Sequence, residues 1–229
     1  MRLGTERMRR FRAKDGRRVK KIRLAFSKRR RACFIPHIAL PSLFSRAASR
    51  AGIRFVRTEG FSPRPKLSLG PELPVGVVAL CEPMDVWLEE WDPELFPLWR
   101  DALPEGVSFS GWTEDPQGTL GTACEAALYL LRVRDETARR SIREGYPWPE
   151  WVRESDCRDE WFRIVTERPG EHGPGVLVRG LLEFGGLPSW ADVNVVRLVV
   201  GRLTPVEGPT ANERVLPLVR GDAGENYGQ

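Results

Sequence analysis

Histidine is nearly missing from this chain: His37 and His172 are the only two among 229 residues. Cysteine is scarce and scattered. Cys33, Cys81, Cys124 and Cys157 lie 48, 43 and 33 residues apart, without a Cys-x-x-Cys pair. Structural zinc and iron–sulfur sites take their ligands in close pairs, so this spacing predicts no metal centre and four reduced, mostly buried thiols. Neither Gly-x-Gly-x-x-Gly nor a P-loop occurs, which leaves a dedicated nucleotide pocket and a bound cofactor unsupported. No apolar run approaches the roughly 18 residues that span a bilayer, so no membrane partner is expected. The basic first 21 residues lack the apolar stretch of a secretory signal, and Glu6 and Asp15 interrupt a mitochondrial-type pattern; the cytoplasm is the expected location.

Acid is the other shortage, and it is local. Residues 1–66 hold 21 Lys and Arg against Glu6, Asp15 and Glu59, a net of +18, while residues 67–229 hold 15 basic and 28 acidic residues, a net of −13. The overall +5 hides a bipolar molecule. Such asymmetry concerns partners and association rates rather than fold, and it predicts that a polyanion such as RNA meets the amino-terminal part. With 41% hydrophobic residues and eight Trp, the chain has enough apolar material for one large domain or two small ones.

Periodicity predicts a mixed α+β fold. Residues 1–20, with nine basic residues, read as a flexible arm. Ile22, Leu24 and Phe26 alternate as one face of a strand, and Ser27 to Arg31 reads as a cationic connection. Leu40, Leu43, Phe44, Ala47 and Ala51 follow a helical period, with Pro41 in the first turn and Gly52 as the stop. Strands are expected at 53–56 (resumed at 67–69), 84–91 and 107–113. A second helix starts from Asp92-Pro93-Glu94 and runs to about residue 103. The order β-α-β-β-α-β over residues 21–115 is the ferredoxin-like pattern. After a turn-rich boundary at 115–118, residues 122–205 read as a degenerate second α+β half. Its expected strands are 126–133, 161–165, 176–184 and 195–203, with a helix at 135–144 and only a short one within 188–193. Residues 206–229 read as a loosely ordered tail.

The most distinctive segment is Thr58 to Gly70. Pro63 and Pro65 fix φ and remove donors, so the backbone around Arg64 is stiff and extended. Gly60 and these prolines hold Phe61, Arg64 and Lys66 in a defined fan, and Glu59, the only acid between residues 16 and 71, is expected to brace the loop by pairing with a neighbouring cation. Phosphate contacts by Arg64 and Lys66, with Phe61 stacked on an exposed base, are how single-stranded RNA is often held. The run Lys28, Arg29, Arg30, Arg31 and the stripe Arg46, Arg50, Arg54 extend this electrostatic footprint. The bland alternative is a buried Phe61 among solvated cations.

Lys21-Ile-Arg-Leu-Ala-Phe-Ser-Lys28, Phe34-Ile-Pro-His37, the helix at 38–52 and, above all, Glu59-Gly-Phe-Ser-Pro-Arg-Pro-Lys66 resemble the bacterial radical SAM-linked domain of unknown function. Pro74-Val-Gly-Val77 and Met84-Asp-Val86 fit it too. The likeness is dense over residues 21–90 and loose beyond. The family commonly shows Ser-His-Leu-Asp where this chain has Pro36-His37-Ile38-Ala39, so the acid that would cap the helix or orient His37 is gone. The resemblance implies an accessory to a radical SAM enzyme. This chain lacks the three-cysteine signature for that chemistry itself. The leading expectation is a non-catalytic module that binds tRNA or rRNA and presents it to such a partner. The alternatives are a nuclease-like or RNA-modifying enzyme using His37, and a pure protein-interaction domain.

Overall fold

The computed structural model describes residues 19–204 and 214–219. Residues 1–18 of the arm expected at 1–20, and most of the tail, lie outside that range, and Lys20 already belongs to the first strand. The fold is α+β, a mostly antiparallel sheet of nine strands with few helices.

The first half contains β1 (Lys20–Lys28), α1 (Leu40–Arg50), β2 (Leu67–Leu69), β3 (Val78–Leu88), α2 (Leu95–Asp101) and β4 (Val107–Glu114). β1 runs antiparallel to both β3 and β4, and β2 pairs with β3 around Met84–Val86. The strand order is therefore β4-β1-β3-β2. The alternation expected in β1 places Ile22, Leu24 and Phe26 in a core with Leu40 and Phe44 of α1 and Trp99 of α2. Phe26, Phe44, Phe96, Trp99 and Phe109 meet ring to ring there, a dense aromatic filling. The expected strand at 53–56 is reduced to a bridge between Phe55 and Leu88, and β3 starts six residues earlier than its alternation suggested.

The second half contains β5 (Ala126–Val133), α4 (Glu136–Gly145), β6 (Val152–Arg158), β7 (Trp161–Glu167), α5 (Pro174–Gly185) and β8 (Val193–Thr204), after a one-turn α3 (Leu120–Ala123). Its order, β8-β5-β7-β6, repeats that of the first half. Two expectations need correction. Residues 176–184 are helix, not strand: Pro174 opens α5, Leu177, Val178 and Leu181 are buried at helical spacing, and left-handed Gly186 ends it. β6, expected by no periodicity, is a polar edge strand, Val-Arg-Glu-Ser-Asp-Cys-Arg, with little apolar alternation. The end of β8 pairs with β9 (Arg214–Pro217), so this part of the tail is ordered.

The halves share one sheet through a short seam. β3 and β8 pair in parallel at only two positions, Val78 with Val196 and Ala79 with Arg197. Leu73, Val77 and Ala79 from the first half pack into the core of the second. Side chains reinforce the seam: fully enclosed Arg197 donates from Nε and Nη2 to Glu82, at 2.7 and 2.6 Å, and to the carbonyls of Glu72 and Pro71. Burial is the largest single influence and pulls the Arg197 guanidinium down, but the Glu82 carboxylate and Tyr129 together outweigh it and raise the pKa.

Candidate nucleic-acid interface

Helix α1 ends where the sequence placed its stop. Gly52 takes a left-handed conformation (φ 79°), and the Ile53 N–H reaches back to the Ala48 carbonyl at 2.9 Å, closing the helix end. The chain then reverses beside β3: Val56 N–H donates to the Trp87 carbonyl and Glu89 N–H to the Arg54 carbonyl, at 2.8 and 3.0 Å. This return leaves a cleft of about 690 Å³ between the last turns of α1 and residues 52–57. Ile53 and Phe55 contribute its apolar part, Arg46, Arg54 and Arg57 its positive charge, and Glu89 its acid. Ser45 and Ser49 also line it, but their hydroxyls donate to carbonyls of the preceding turn. The guanidiniums, not the hydroxyls, bring the positive charge that an anion would meet here.

The Pro-rich segment forms a pinned hairpin rising from this cleft. Arg57 and Pro65 bridge at its base and both line the cleft. Above them Thr58 N–H donates to the Arg64 carbonyl at 2.8 Å, and Arg64 N–H donates to the Thr58 hydroxyl at 3.0 Å. The Arg57 guanidinium reaches the Pro63 carbonyl. Gly60, at φ 121°, makes the tip, and Phe61 stands on it fully exposed. Glu59 is exposed and makes no ion pair among the described residues, so Thr58 and Arg57 supply the brace expected of it.

The other cations disperse. Lys28 is wholly enclosed as the last residue of β1, with its ammonium donating to the Ile35 carbonyl at 2.9 Å. Burial pulls its pKa below the usual lysine range, against the opposite pull of Cys33 and Glu82. It belongs to the seam, not to the surface. Arg29 and Arg31 are exposed, and Arg30 pairs directly with Glu105 at 3.1 Å on the surface. Arg50 donates to the Ala102 carbonyl and ties α1 to the end of α2. Arg54 lies 2.8 Å from Glu90 and 3.5 Å from Glu89, in exposed pairs of little energetic weight. Lys66 turns to the other sheet face, its ammonium 5.0 Å from the centre of the Trp87 ring. Arg46, Arg57 and Arg64 are exposed with no carboxylate partner among the described residues. Of the sequence candidates, the structure thus gathers Arg46, Arg54 and the hairpin bearing Phe61 and Arg64. It adds Arg57, whose place in the cleft follows from the Gly52 reversal and carries no sequence signal of its own.

His37 stands away from the cleft, ahead of α1. Its Nδ1 accepts a hydrogen bond from Leu73 N–H at 3.4 Å, so the neutral ring carries its proton on Nε2. Burial first, then Arg197, hold its pKa below the ordinary histidine range. No group of three or more metal-ligating side chains occurs among the described residues.

The bacterial family described as "Uncharacterized protein conserved in bacteria (DUF2344)" matches residues 21–174. The chain belongs to this family. The match begins in β1, covers the rest of the first half, crosses the turn-rich boundary and ends as α5 begins, so it reaches into both halves of the sheet. The cleft, the hairpin and the seam residues up to Glu82 all lie within it. No curated protein shows significant similarity to the chain. No described helix is long and apolar enough to cross a membrane.

Proposed function

We propose that this family member is a non-catalytic RNA-binding module that holds tRNA or rRNA for a radical SAM enzyme. The enzyme partner rests on the sequence resemblance alone. The RNA reading rests on one observation above others, the cleft in which Arg46, Arg54 and Arg57 converge beneath a rigid hairpin displaying Phe61. Guanidiniums suit phosphate oxygens because their planar donors engage two at once, and an exposed ring on a pinned loop stacks on an unpaired base at little cost in entropy. The repeated strand order 4-1-3-2 supports reading each half as a ferredoxin-like unit, an architecture that suits a scaffold for such a surface. The acidic second half acts as the scaffold and keeps the polyanion to one end.

Fluorescence anisotropy with labelled tRNA, titrated at several salt concentrations, tests this. Replacing Arg46, Arg54 and Arg57 with Ala should weaken binding and flatten the salt dependence by about two units, since each phosphate contact to a single strand contributes about 0.7 to that slope. Phe61→Ala should weaken binding without altering the slope. Absence of RNA affinity even at low salt sinks the proposal.

A further inference from the structure

At the opposite end of α1 from the cleft, roughly 15 Å along an 11-residue helix, three large apolar side chains face solvent. Phe34 is 65% exposed, Ile38 88% and Val75 50%. They are neighbours through the backbone: Gly76 N–H donates to the Cys33 carbonyl at 2.9 Å, and Leu73 N–H to the His37 ring. Their segments are not loose. Ala32, Cys33, Leu40, Leu73 and Val77 are buried beneath them, and the Lys28 ammonium fastens the Ile35 carbonyl. The inward positions are filled by other residues, so Phe34, Ile38 and Val75 are turned outward on a firmly held base.

We propose that this surface docks an acidic, amphipathic segment of a partner protein. Exposed apolar side chains grouped on a rigid base are the usual mark of a protein contact, and little ordering entropy opposes binding there. The acidic character follows from the surroundings. Residues 30–34 form a 3₁₀ turn, in which positions three apart eclipse, so Arg31 lies along the same edge as Phe34. Arg29 and Arg31 are exposed with no carboxylate partner among the described residues. Ile38 and Val75 offer no ring for base stacking, which separates this surface from the RNA cleft. Three side chains also present far less apolar area than the helix face that membrane adsorption requires.

The test uses the full chain and a labelled amphipathic helical peptide with Leu and Phe on one face and Glu elsewhere. Lys-for-Glu and scrambled versions serve as controls. The acidic peptide should bind, and Ile38→Asp and Val75→Asp should each weaken it about tenfold, the loss expected of an interface anchor. Both positions are solvent-facing, so thermal melts should be unchanged and show that the variants fold. Arg31→Ala should lower the salt dependence, while Arg57→Ala should leave peptide binding intact. Equal binding of the basic or scrambled peptide, or insensitivity to Ile38→Asp, overturns the proposal. So does Ile38-dependent sedimentation with phosphatidylserine vesicles, or a dimer in analytical ultracentrifugation that Ile38→Asp dissolves.

Discussion

Removing the carboxylate at the seam should expose how much the two halves depend on it. In Glu82→Ala, the Arg197 guanidinium stays enclosed with two carbonyl acceptors, from Pro71 and Glu72, but loses its counter-charge and two short hydrogen bonds. Breaking a buried pair from one side costs about 3–5 kcal/mol. The two remaining carbonyls compensate in part, so ~4 kcal/mol is expected, a large share of a typical stability of about 5–15 kcal/mol. Arg197→Met removes the cation instead and leaves Glu82 near the Lys28 ammonium, so its cost should be smaller, ~2 kcal/mol. If the pair acts as a unit, the double variant costs ~3 kcal/mol rather than their sum, a coupling of about 3 kcal/mol. Urea unfolding at neutral pH, followed by far-ultraviolet circular dichroism, measures all three. Additivity within about 0.5 kcal/mol would refute the account of the seam as a coupled ion pair.

At Gly201 an added Cβ would collide with the Leu216 carbonyl oxygen, so Gly201→Ala should displace β9 and cost ~2 kcal/mol, with faster amide exchange confined to the β8–β9 pairing. Burial pushes the thiols of Cys81 and Cys124 up to about 12, so in the native protein at pH 8 neither should react with a disulfide reagent; both should react once urea unfolds the chain. His37 has a folded-state pKa below its unfolded value, so the unfolded chain binds the extra proton. Its contribution to stability is whole above the ordinary histidine pKa of about 6.5 and is lost as pH falls toward the folded value. Thermal melts from pH 8 to 5 should therefore fall more steeply for the parent than for His37→Gln, and parallel curves would discount this role.

Local signals carried most of the first half. Alternation set β1, and Pro41 with Gly52 bounded α1, because those features act through the backbone of the residues that display them. Where the outcome depended on distant partners, the sequence misled. Lys28 read as part of a surface run, yet it closes β1 in the interior because Ile35, Glu82 and the second half enclose it. Arg197 had no signal, since its counter-ion lies 115 residues earlier. The four-residue spacing of Arg46, Arg50 and Arg54 reads as one cationic stripe, but α1 ends at Arg50. Arg54 reaches the cleft through the reversal after Gly52 instead. Residues 176–184 are apolar enough for either a buried strand or a helix, and periodicity alone could not separate them.

The two-residue junction between β3 and β8 has a consequence for synthesis. The first half completes its own ladder from residues 20–114, but the neighbour that caps the start of β3 is not made until residues 196–197. During the interval the emerging chain carries a bare backbone edge beside a Glu82 carboxylate that still lacks its guanidinium partner. That buried-to-be acid hinders a foreign strand from annealing there, because an intruder without a matching guanidinium would trap the charge in a dry environment. Arg197 thus gives the late-arriving strand a chemical key, and the same contact that joins the finished halves guards the unfinished one.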